Sequence, residues 1–147
     1  AMPQTLDSGL RGNPVFLDGL TYEQDKVRTV ADVLRQLDEA QAKELIYASV
    51  CATEERWAWG IGESVYNFTV NCGVTEDKRV ILLDLGEMVF TPEKILFGVR
   101  GRIWHKAWSI TDDLTPELAT YAVTLMDERF TEERMRKVWG SNLHPNH

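Results

Sequence analysis

No stretch of this 147-residue sequence approaches the ~18 to 20 consecutive apolar residues that a membrane-spanning helix needs. Nor does it open on a basic region followed by an apolar run, the form of a signal peptide, so the expected compartment is the cytoplasm. Cysteine is scarce: Cys51 and Cys72 stand in apolar surroundings without metal-ligand spacing, and they read as buried free thiols rather than as a disulfide or a site. Cations are outnumbered, with 16 Lys and Arg against 23 Asp and Glu. The net charge of -7 repels a phosphate backbone, and no basic stripe overrides it, so nucleic acid is not an expected partner, nor, for want of a spanning run, is a membrane.

What is present is enough apolar material for one domain. At 44% hydrophobic residues, a chain of this length buries roughly two-thirds of its unfolded surface. Ala1 before Met2 reads as a tag scar, and residues 1–14, with Gly9, Gly12 and two prolines, read as a flexible leader. The globular domain is expected over 15–140, and a flexible tail over 141–147. Val27, Val30, Val33, Leu34 and Leu37 recur at helical spacing, predicting a helix from Glu23 to Leu37. A second helix is expected from Glu39 to Trp59, turning Leu45, Ile46, Ala48 and Val50 inward and stopped by Gly60 and Gly62.

The period then changes. Val65 to Val74 and Arg79 to Leu85 are rich in β-branched and aromatic residues, and the polar "TEDKR" between them predicts a β-hairpin. Beyond it, Thr91-Pro92-Glu93, Thr115-Pro116-Glu117 and Thr131-Glu132-Glu133 each place a hydroxyl at an N-cap and an acid in the first turn. The last of these helices is expected to end at Gly140, with Glu132 and Arg136 paired at i,i+4. The fold class is therefore α+β, a mainly helical domain around one small hairpin.

The chemistry-bearing residues lie in "NFTVNCGVTEDKRVILLDLGE", where Asn71 falls within the first expected strand and Asp84-Leu85-Gly86-Glu87 ends the second. A long helix, an asparagine opening a hairpin and an Asp-x-Gly motif 13 positions later together resemble the C-terminal lobe of protein-kinase-like phosphotransferases. The segment "VFLDGLTYEQDKV" would then stand where the two kinase lobes are linked. The resemblance covers roughly residues 15–90 and implies magnesium with ATP or ADP. Asn71 and Asp84 would be oxygen ligands, and Glu87 would either join the metal site or pair with a nearby base.

Departures from the family pattern are as specific. Tyr66 stands where the family has its catalytic aspartate, Phe68 replaces the loop lysine, and no Gly-rich loop or Val-Ala-Ile-Lys strand precedes residue 15. The resemblance thus implies a degenerate lobe, inactive as this chain alone, whose catalytic residues are unassigned and in which Tyr66 or Glu63 is the remaining candidate for a base. The alternative is a non-catalytic interaction domain, in which Asn71 bonds neighbouring backbone and Asp84 merely finishes a strand. A lobe without its partner would keep apolar residues such as Val15, Phe16 and Leu17 exposed, favouring a protein partner or a homodimer. His105 reads as a packed or surface histidine, His144 and His147 as part of a frayed tail, and the five tryptophans as mainly core or groove residues.

Overall fold

The computed structural model of the chain describes residues 27–83 and 85–143. It is an α+β domain, mainly helical, around small antiparallel sheets. A short strand β1, Arg28–Thr29, leads into helix α1, Val30–Leu34, capped by the Thr29 hydroxyl, which accepts from the Asp32 amide at 3.1 Å. Helix was expected to run unbroken from Glu23. Instead residues 28 and 29 pair with a strand, and the part before residue 27 lies outside the described residues.

Helix α2, Glu39–Ala58, is the longest described element. Its start is set by a reciprocal capping box between Asp38 and Gln41, which satisfies two amides that a helix end otherwise leaves without partners. Ile46 and Val50 face the core as expected, whereas Ala48 is exposed and Leu45 only half-buried. The inward face turns instead through Ala42, Ser49, Thr53, Arg56 and Trp57, so polar residues share it. Gly60 ends the segment with φ of 77°, a left-handed conformation that glycine adopts without a Cβ clash.

Strand β2, Gly62–Glu63, follows, and then a helical turn α3, Phe68–Asn71. A strand was expected from Val65, but strand β3 begins only at Cys72 and runs Cys72–Val74. Local β-propensity loses here because Phe68 and Thr69 are buried in contact with α1 and a later helix, and Asn67 accepts the Ser109 amide at 3.1 Å. Strand β4, Val80–Leu82, pairs antiparallel with β3, Cys72 opposite Leu82 and Val74 opposite Val80. The five residues Thr75 to Arg79 form the expected turn. In it the Thr75 amide donates to the Arg79 carbonyl at 2.9 Å, and Lys78 takes the left-handed φ of 68°. β1 lies against β3 on its other side.

After the 3-10 turn Leu85–Glu87, strand β5, Met88–Val89, returns to pair with β2. Helices α4 (Pro92–Gly101), α5 (Trp108–Asp113), α6 (Pro116–Arg129) and α7 (Glu132–Val138) complete the described chain, with a 3-10 segment Ile103–Lys106 between α4 and α5. The three Thr-initiated helices begin where the sequence placed them, at Pro92, Pro116 and Glu132. Thr115 and Thr131 make their side-chain caps, whereas Thr91 caps no amide. α7 stops at Val138, and Gly140 turns the chain with φ of 71°.

The core centres on α2 and α6. Phe130 touches Trp57 at 5.2 Å between ring centroids, Trp104 at 5.4 Å and Tyr66 at 5.4 Å, so one ring joins α2, the Tyr66 loop, the 3-10 segment and the end of α6. Trp57 and Trp104 are fully enclosed, Trp59 and Trp139 half-buried, and Trp108 exposed.

Two expected outcomes follow from this packing. A Cβ at Gly73 would lie 2.4 Å from Val27 Cγ1 and 3.2 Å from the Arg28 carbonyl oxygen. Gly73→Ala is therefore expected to lower unfolding stability by about 1–3 kcal/mol as β1 is pushed off β3, measured by urea denaturation. Glu132 accepts from Arg100 Nε at 3.0 Å and from Arg136 Nε at 2.9 Å, and these two guanidinium partners, Arg100 first, hold its carboxyl down at about 2. Its folded value is depressed, so its stabilising contribution is present above the ordinary carboxylate range and is lost as pH falls toward 2. Arg100→Ala is expected to move the Glu132 titration upward, read by carboxyl-carbon NMR.

Candidate functional site

Of the residues singled out from the sequence, Asn71 stands at the open end of the β3–β4 hairpin. Asn71 closes α3 and immediately precedes β3, and its backbone oxygen accepts the Leu83 amide at 2.7 Å. That bond extends the β3–β4 ladder by one step and sets Asn71 across from the residue that precedes Asp84. Asp84 itself lies outside the described residues. Asn71 is 9% exposed, and its side-chain amide has no hydrogen-bond partner among the described residues. The reading in which this carboxamide simply bonds neighbouring backbone is not what the geometry presents.

Glu87 sits at the end of the 3-10 turn. Its Oε1 accepts the Ser64 hydroxyl at 2.6 Å, and its backbone oxygen accepts the Ser64 amide at 2.9 Å. The pairing with a nearby base that was the second expectation for Glu87 is replaced by a pairing with a hydroxyl. Its other carboxylate oxygen makes no hydrogen bond among the described residues. Among those residues no group of three or more His, Cys, Asp or Glu is arranged to hold a metal ion.

The two candidates for a base are both enclosed. Tyr66 is 4% exposed, and burial first, then the Glu63 charge, pushes its phenol far above the ordinary tyrosine range. Glu63 is 3% exposed and receives Arg56 Nη2 at 2.5 Å. Phe68, in the place of the family's lysine, is 5% exposed. None of the three can meet a substrate in this fold.

The sequence reading passed over the polar cluster that surrounds them. Arg56, at the end of α2, reaches Glu63 in β2, the Thr53 hydroxyl at 3.2 Å and Cys72 Sγ at 4.0 Å. Arg56 is 1% exposed, and its Nε and Nη1 have no partner among the described residues; the same is true of the Tyr66 hydroxyl. Burial, only partly opposed by Arg56, drives the Cys72 thiol up to about 12, so it is protonated and inert. The only signal available beforehand was an opposite-charge pair in Arg56 and Glu63, flanked by tryptophans and glycines, and nothing in the linear spacing said that both would turn inward.

The remaining candidates take structural places. Cys51 is half-buried and free. His105 is a surface residue whose Nε2 lies 2.7 Å from Asp127 Oδ1, the same oxygen that accepts Trp104 Nε1 at 2.8 Å. Val15, Phe16, Leu17, His144 and His147 lie outside the described residues.

Because the Arg56–Glu63 pair is enclosed, losing one partner should cost far more than losing both. Glu63→Gln is expected to destabilise the fold by about 3–5 kcal/mol, and the Arg56→Met/Glu63→Leu double variant to recover most of that, with chemical denaturation of all three chains as the check. Comparison with protein-family models, with curated proteins and with solved structures finds no match to this chain, so its site stands on its own geometry.

Proposed function

We propose that this chain is a degenerate protein-kinase-like lobe that binds a magnesium-nucleotide at the open end of the β3–β4 hairpin and does not transfer phosphate by itself. One observation carries the reading: Asn71, a largely enclosed residue beside the open end of the hairpin, keeps a carboxamide that has no hydrogen-bond partner among the described residues and whose polar atoms still reach solvent, where a ligand could meet them.

The residue types suit the group. Magnesium takes oxygen ligands and is commonly held by one or two protein groups together with substrate phosphates and water. Asp84 would supply the charge and Asn71 an amide oxygen, while one carboxylate oxygen of Glu87 accepts no hydrogen bond among the described residues. When bound, the ion would neutralise phosphate charge that a protein of net charge -7 otherwise repels. Catalysis has no comparable support, because the residues in place of the base and the lysine, Tyr66 and Phe68, are core.

A thermal-shift titration with ATP and ADP, with and without magnesium, tests the proposal alongside Asn71→Ala and Asp84→Ala. Ligand at 100 times its dissociation constant adds about 2.7 kcal/mol to the folded state, a rise of several degrees for a domain of this size. The expected result is a magnesium-dependent rise lost in both variants. A parent chain that ignores every nucleotide, or variants that respond as the parent does, would count against it.

A further inference from the structure

Helix α4 carries apolar residues on two sides. Ile95, Leu96, Gly98 and Val99 are buried against the domain, as an amphipathic surface helix requires. Yet Phe97 is 79% exposed, and Phe90, just ahead of the helix, is 64% exposed; no other large hydrophobic among the described residues is as open. Lys94, Phe97 and Gly101 share one face by helical spacing. A Cβ at Gly101 would meet only Ile103 Cγ2, at 3.7 Å, so the surface is unobstructed beside Phe97.

The charge around this face runs against that of the protein. Between residues 90 and 106 stand Lys94, Arg100, Arg102 and Lys106 against the single acid Glu93, and from other elements Asp127 acts on Arg102 and Glu132 on Arg100, which leaves a small local excess of positive charge in a chain whose net charge is -7. Arg100 is occupied by a two-pronged contact with Glu132. Lys94 and Lys106 make no ion pair among the described residues. Exposed phenyl rings with the unpaired Lys94 on the same helix face, and further cations along the chain that follows, suit an occupant that brings both apolar side chains and carboxylates.

We propose that the outer face of α4, from Phe90 to Arg102, docks an acidic, partly apolar segment of a partner protein. Phe97 is the anchor and Lys94, one helical turn away, sets the charge preference. A symmetric second copy fits less well, since a two-fold interface sets the same patch against itself and brings cation against cation. A nucleic acid meets the same few cations backed by a strongly acidic body. The proposal does not depend on nucleotide binding at the hairpin.

The test is selection of short random peptides displayed against the immobilised full chain, followed by binding of the enriched peptides to the parent, Phe97→Ser and Lys94→Glu proteins. The expected consensus joins Asp or Glu to Leu, Phe or Trp. Affinity should fall about tenfold or more in each variant and weaken as salt rises, while thermal midpoints stay unchanged because both side chains are exposed. Failure to enrich, a basic consensus, or peptides that bind Phe97→Ser as tightly as the parent would overturn the proposal. So would a concentration-dependent dimer in sedimentation that Phe97→Ser abolishes, since the face would then belong to a second copy.

Discussion

The buried ion pair between Arg56 and Glu63 is the constraint on which the rest of the arrangement depends. It joins the last turn of α2 to β2, and through Thr53 and Cys72 it reaches back along α2 and across to β3. Removing two charges from water is expensive, and their attraction repays this only when geometry is good. The pair therefore contributes more to placement than to net stability: with Glu63 held at this point, Ser64 can bond Glu87, and the β2–β5 ladder can form. A hydrophobic pair could fill the same volume, but would not dictate direction in the same way.

Around this point the aromatic core decides what the neighbouring loop can do. Phe130 packs on Trp57, Trp104 and Tyr66 together, and once Tyr66 belongs to that set it is removed from any role at the surface. The same packing pulls Phe68 and Thr69 inward and winds residues 68–71 into a turn of helix. Asn71 is thereby delivered to the hairpin mouth as the last residue of that turn rather than as a strand residue. Packing that encloses Tyr66 also positions the unpartnered Asn71 amide on which the nucleotide proposal rests.

Two surfaces of different chemistry are adjacent in the chain. The hairpin mouth carries the Asn71 carboxamide, whereas the outer face of α4 carries exposed phenyl rings and Lys94; Glu87, Met88, Val89 and Phe90 connect them without a break. The short β2–β5 ladder holds this connection, so Glu87 at one end and Phe90 at the other are separated by a single paired strand. A partner seated on α4 would lie near the turn that follows Asp84 in sequence. Glu87 is anchored through Ser64 and is thus part of the scaffold linking the two surfaces.

By itself the sequence determined the class of fold, the long helix, the Thr75–Arg79 turn, and the three later helix starts, because each depends on short-range rules: helical spacing, turn chemistry and N-terminal capping. The Glu132–Arg136 pair was legible for the same reason, being one helical turn apart. Tertiary structure decided the rest. Only packing could show that Val65 to Asn71 abandons the strand its composition favours, that Ala48 faces water while Arg56 does not, and that Glu63 is an enclosed ion-pair partner. Burial is a property of elements brought together from distant positions, and so the fate of each candidate base, Tyr66 and Glu63, was settled by neighbours such as Phe130 and Arg56 that no local pattern assigns to them.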